Sequence, residues 1–149
     1  MSLQTKVMDA LKEAMKAKDT IALESLRAIK SAILLAKTEA GAAAELAEEE
    51  ELKLLQKLVK QRKDSAALYA QQGRNDLAEP ELAQVAVIEK FLPKQLSEAE
   101  VIEAVKAIIA EVGATSAKDM GKVMGVATKQ LAGKTDGKVI SAIVKSLLA

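Results

Sequence analysis

Apolar residues in this chain recur at steps of three and four, and no cluster alternates strictly over a strand's length, so the architecture open to it is packed helices. Leu3, Val7, Ala10, Leu11 and Ala14 form the first such face. Asp19 then offers an N-cap for a second run through Ile21, Leu26, Ile29, Ile33 and Leu34. Gly41 closes that run, and small residues link Gly41 to Ala44. A long helix is expected from Glu45, with Glu48 to Glu51 complementing the dipole in its opening turns. Leu52, Leu55, Val59, Arg62, Ala66 and Tyr69 continue it as a seam of the kind formed where one helix lies along another, and Gly73 ends it. Asp76 and Glu79 have capping-box spacing for a further helix that contains Pro80 early and ends at Phe91-Leu92. Pro93 marks a domain boundary.

Beyond it, Ser97 and Glu100 make a second capping box ahead of Val101, Ile102, Val105, Ile108 and Ile109, and Gly113 is the stop. Ser116 and Asp119 have the same spacing before a helix carrying Met120, Val123, Met124, Ala127 and Leu131. Asp136 caps a last helix through Val139, Ile140, Ile143, Val144, Leu147 and Leu148. The expected fold class is therefore all-α, with a helical N-terminal region over 1–92 and a three-helix C-terminal tail domain over 93–149. Three short helices are close to the lower size limit for independent folding.

Composition narrows the chemistry. Tyr69 and Phe91 are the only aromatic side chains, and histidine, cysteine and tryptophan are absent, so the usual general base, thiol nucleophile and soft metal ligands are all missing. No catalytic residue, metal or cofactor is assigned. The run Glu48 to Glu51 is no hard-cation site, because adjacent glutamates point around a helix axis and do not converge. No apolar run approaches the roughly 18 residues of a membrane span, and charge alternates from Lys6 to Lys18 where a signal peptide would need an apolar core. The expectation is a cytoplasmic protein with no membrane partner.

Net charge is only +1, but its distribution is uneven, since residues 113 to 149 hold six lysines and two acids. Within that stretch Gly121 and Gly125 stand four apart inside a helical pattern. Each interior glycine costs about 1 kcal/mol relative to alanine, so the pair implies that another backbone comes close. The visitor is either a packed helix of the tail or a ligand's backbone. Lys118, Lys122 and Lys129, at steps of four and seven, supply charge on one side for a phosphate backbone. Lys134 and Lys138 flank the turn before the last helix, whose N-terminus can itself attract a phosphate. Gly133-Lys134-Thr135 is no P-loop, because the earlier glycine that motif needs is replaced by Thr128 in a helix. Arg62 interrupts an apolar seam and Arg27 lies beside one. Each either lays its stem on the core and pairs with an acid such as Asp64 or Glu24, or contributes to a secondary basic groove.

Five separated segments carry a resemblance to the GatB/YqeY family, closest to its free-standing YqeY-like members. They are Leu26-Arg27 with Lys30-Ser31-Ala32, Lys60 to Ser65, Gly73 to Ala78, Leu92 to Ser97, and Lys118 to Gly125. Phe91, where relatives carry Tyr, and Pro80, where they carry a charged residue, depart from the pattern. The resemblance implies a helical N-terminal region and a three-helix domain similar to the tail of GatB in the aspartyl/glutamyl-tRNA amidotransferase, which grips tRNA. Carbon-nitrogen ligase activity with glutamine as amido donor belongs to catalytic parts of those relatives that lie outside the homologous region.

Two functions remain in view. One is a non-catalytic tRNA-binding accessory protein related to translation, in which Lys118, Gly121, Lys122, Gly125, Lys129, Lys134 and Lys138 meet the sugar-phosphate backbone by shape and charge. Base reading is not expected of a tail without rings, nor is a DNA partner. The other is a helical adaptor whose N-terminal helices dock an aminoacyl-tRNA synthetase, an amidotransferase or another copy of the chain, a reading that the small net charge favours.

Overall fold

The computed structural model describes residues 2–41 and 45–149, and among these it contains seven α-helices and a 3-10 turn. No strand occurs among the described residues, so the protein is all-α. Most of the predicted small-residue link, residues 42–44, lies outside the described residues. The chain separates into two compact units, Met1–Leu92 and Pro93–Ala149.

In the first unit α1 (Leu3–Ala17) and α2 (Thr20–Ala40) form a hairpin, and α3 (Glu48–Gln71) and α4 (Asn75–Glu89) form another. The first hairpin turns within two residues. Lys18 takes the left-handed C-cap conformation at φ 56°, and the Asp19 carboxylate accepts the Ala22 N–H at 3.1 Å. Leu26, Ile29, Leu55 and Ile88 are almost fully enclosed, so this core joins α2, α3 and α4, and Val7 seals it from α1. The alternating seam of α3 is realised in buried Leu55, Val59 and Ala66. Ser25 is wholly buried and donates its hydroxyl to the Ile21 carbonyl at 2.7 Å, so its polar atom is satisfied in the interior. Ile21 and Leu34, read as part of the α2 core face, are instead exposed, because they stand about 80° and 140° from Ile29 at 100° per residue.

Two expected helix starts differ in this unit. Helix α3 begins at Glu48 and not Glu45, with Ala47 in extended conformation as a cap that makes no side-chain bond. Asp76 does not cap α4. The helix already starts at Asn75, and the Asp76 carboxylate takes a bidentate pair of bonds from Arg74 at 3.0 and 2.9 Å. Glycine enters where geometry demands it, since Gly73 sits at φ 74° in the turn between α3 and α4.

The second unit packs α5 (Glu98–Val112), α6 (Met120–Gln130) and α7 (Gly137–Leu148) around Val101, Val105, Ile108, Val123, Ala127 and Val144. The expected capping box is present: Ser97 accepts the Glu100 N–H at 3.2 Å and Glu100 accepts the Ser97 N–H at 3.1 Å. Gly113 ends α5 in left-handed conformation. The Ser116–Asp119 box does not form as read. Residues Ala117–Asp119 make a 3-10 turn without a Ser116 side-chain cap, and the Asp119 carboxylate reaches back to the Thr115 N–H at 3.0 Å. Val139 and Leu147 of α7 are exposed, while Ile140, Ile143, Val144 and Leu148 form its buried face.

Candidate nucleic-acid interface

Helix α6 has two unlike sides. Val123 and Ala127 are completely buried, and they fix the opposite side toward solvent. At about 100° per residue Lys122, Gly125 and Lys129 fall within about 60° of one another on that exposed side, with Gly121 at its edge. Glycine and lysine therefore share one face.

No atom lies within 4 Å of where a Cβ would stand on Gly121 or Gly125. The expectation that a packed helix of the tail explains these glycines is thus overturned, because the core side of α6 is carried by Val123 and Ala127. What remains is a helix that forgoes alanine's stability at two exposed positions without an intramolecular reason.

The lysines are free to act outward. Among the described residues no ion pair involves Lys118, Lys122, Lys129, Lys134, Lys138 or Lys145, whereas Lys106 on α5 pairs with Glu103 at 3.6 Å. Lys118 is exposed in the 3-10 turn that leads into α6. The Asp119 carboxylate is occupied by the Thr115 N–H at 3.0 Å, and this bond holds its pKa below the ordinary range, with a smaller contribution from the charge of Lys122.

That bond carries a pH signature. A carboxylate whose folded pKa is lowered adds stability above its unfolded value, and the contribution is lost as pH falls through the folded pKa. Asp119→Asn should lower the melting temperature of the tail at pH 7. The gap to the parent chain should close as pH drops below about 3.9, the ordinary Asp value. A gap that is equal at pH 7 and about pH 2.5 in thermal melts would show that the charge is not responsible.

Lys134 is held differently. Its carbonyl accepts the Leu96 N–H at 2.9 Å, and the neighbouring Gly133 carbonyl accepts Gln95 Nε2 at 2.6 Å, so the turn is clamped to the segment before α5. Gly133 takes φ 75° there, a conformation suited to glycine. At the start of α7 the Asp136 carboxylate already accepts the Lys138 N–H at 3.1 Å. A phosphate at that helix end would meet this carboxylate, which weakens the expectation of a helix-end contact and leaves Lys138 to act through its side chain. Lys145 was not singled out by sequence reasoning. It lies two turns after Lys138, and the step of seven was the available signal.

Arg62 is partly buried and does not pair with Asp64. Its Nε donates to Gln84 at 2.9 Å, its Nη1 donates to the Leu58 carbonyl at 3.1 Å, and Gln84 passes a bond on to Glu24 at 3.1 Å. This relay ties α2, α3 and α4 together through a glutamine that no spacing rule marks. Arg27 is exposed and its side chain makes no hydrogen bond or ion pair with the described residues, so the two arginines share no bonded cluster. Also among the described residues, no group of three or more acids is gathered as a metal site, and no helix is long and apolar enough to cross a membrane.

The family model described as Yqey-like protein matches residues 4–148, and the chain belongs to that family. The same domain occurs at the C-terminus of GatB. The chain is also 42% identical over 82 residues to "Altered inheritance of mitochondria protein 41, mitochondrial" of Clavispora lusitaniae (strain ATCC 42720). That match takes in 55% of this chain and 46% of the relative, so it spans about half the length of the curated relative.

Proposed function

We propose that this chain is a non-catalytic tRNA-binding accessory protein in which the exposed face of α6 meets the sugar-phosphate backbone. The observation that supports it most is the open space over Gly121 and Gly125 beside Lys122 and Lys129, neither of which enters an ion pair among the described residues. A ligand backbone gains close approach at the glycines and charge from the lysines, and counterion release supplies the affinity. Lys118 extends the basic edge, and Lys134, Lys138 and Lys145 add positive charge to the same unit. The tail contains no aromatic ring on which an unpaired base can stack, so recognition is of shape and charge. Tail domains shared with GatB are consistent with work alongside tRNA-dependent amidotransferases. The mitochondrial designation belongs to the matched relative, and no compartment is assigned to the present chain.

The test is fluorescence anisotropy of labelled bulk tRNA against the intact chain and a Lys122→Glu, Lys129→Glu variant at several salt concentrations. Binding should weaken steeply with salt, and the double variant should flatten the log–log salt slope by roughly 2, about one for each phosphate no longer neutralised. Circular dichroism should show unchanged helicity. Salt-independent binding, or equal slopes for the two proteins, would remove the α6 face from the mechanism.

A further inference from the structure

The first unit carries a surface that the tail reading does not use. Between α1 and α2 runs a groove of about 240 Å³ lined by Gln4, Val7, Met8, Lys30, Ile33 and Leu34. Two of its lining residues are apolar and open, Met8 at 43% and Leu34 at 53% exposure, and Met15, 61% exposed, continues the strip two turns farther along the same side of α1. Residues of this size are rarely left on a helix hairpin in a contiguous strip unless something covers them.

The charges closest to the strip are positive: at about 100° per residue Lys12 stands about 40° from Met8 and Arg27 about 20° from Leu34, whereas the exposed carboxylates Asp9 and Glu24 stand about 100° and 80° away, and Glu24 is engaged by Gln84. On α1, Lys12 stands between Met8, one turn before it, and Met15, one turn after. On α2, Arg27 precedes Lys30 by one turn and Leu34 by two. Lys12, Arg27 and Lys30 are exposed, and none enters an ion pair among the described residues. The nearest carboxylate at the hairpin's tip, Asp19, is engaged as the cap of Ala22. Glu13 on α1 is held by Lys16 at 3.4 Å, away from the strip.

We infer that this groove docks an amphipathic helix with acidic flanks, supplied by a partner protein. A concave cleft between antiparallel helices accepts a third helix along its length, with apolar anchors at i, i+4 and i+7 seated between Met8, Met15 and Leu34. Methionine suits such a task because its unbranched thioether repacks around different anchors. Glutamates beside the anchors reach Lys12, Arg27 and Lys30, and this complementarity sets orientation and encounter rate. Nucleic acid fits the groove less well, because its methionines and leucine have no ring to stack on bases. A lipid surface calls for a convex apolar face and not a cleft.

Methionine methyl groups give a direct readout on the full chain. With 13C-methyl-methionine labelling, Met8 and Met15 report the groove while Met120 and Met124 in the tail serve as internal controls. The probes are a helical peptide of about five turns with a leucine stripe flanked by glutamates, the same stripe flanked by lysines, bulk tRNA, and vesicles containing anionic phospholipid. The acidic peptide should shift Met8 and Met15 alone, and Leu34→Glu or Arg27→Glu should weaken it at least tenfold. Both positions are exposed, so the variants should keep their far-UV spectrum. Equal shifts with the lysine peptide, no shift with the acidic one, or shifts at Met8 and Met15 only with tRNA or vesicles would each overturn the inference.

Discussion

The Gly121→Ala, Gly125→Ala double variant is expected to be more stable than the parent chain and to bind tRNA less tightly. Both glycines have open space where the new methyl would stand, and neither has the positive φ that would strain a side chain. Alanine recovers helix propensity of about 1 kcal/mol at interior Gly125 and less at Gly121, the second residue of α6, so the pair should gain roughly 1–1.5 kcal/mol in unfolding free energy. The same two methyl groups stand on the surface where a ligand backbone would lie. If the backbone touches the helix there, affinity should drop about tenfold, or about 1.4 kcal/mol. Stability and binding would then move in opposite directions, which a general loss of structure cannot produce. Urea unfolding and anisotropy on the same preparation decide it: a stabilised variant with unchanged binding would leave the glycines without a role in tRNA contact.

Helix identity was legible in the sequence because apolar spacing and caps are local. Asp19, Ser97, Gly113 and Asp136 each act where their neighbours predict, through bonds that span no more than four residues. Local rules failed where two partners competed. Asp76 had the spacing of a cap but lies two residues from Arg74, and a bidentate guanidinium outbids a single backbone N–H. Asp119 could bond forward to α6 or backward to Thr115, and the 3-10 turn selects the backward bond.

The site was legible in part for the same reason. Spacing placed Lys122 and Lys129 on one side of a helix, but it could not say whether Gly121 and Gly125 faced the core. That depends on which stripe of α6 meets α5 and α7, and Val123 and Ala127 win the position. Arg62 was visible as an interruption of a seam, whereas its partner Gln84 lies 22 residues away and follows no periodicity. Leu34 read as part of the apolar run of the second helix, and only the packed hairpin shows that nothing in its own unit covers it.

Ile108→Ala is the second large effect, and it tests whether the two units fold independently. Ile108 is 1% exposed in the tail core, and that core shares no residue with the core built on Leu26, Ile29, Leu55 and Ile88. Truncating a buried isoleucine to alanine costs about 2–5 kcal/mol. A domain the size of Pro93–Ala149 holds only roughly 3–9 kcal/mol at typical stability per residue, so most of its margin would go. The chain carries its own reporter for the other unit, because Tyr69 on α3 is the only tyrosine and the tail has no aromatic residue. Far-UV dichroism of the variant should show an early transition carrying the smaller share of the helical signal. Tyr69 fluorescence should stay at the parent midpoint, since α3 draws its packing from α2 and α4. If the tyrosine signal and the helical signal instead fall together at a lowered midpoint, the units unfold as one cooperative body, and the tail's lysine face would have to be understood as part of the whole chain.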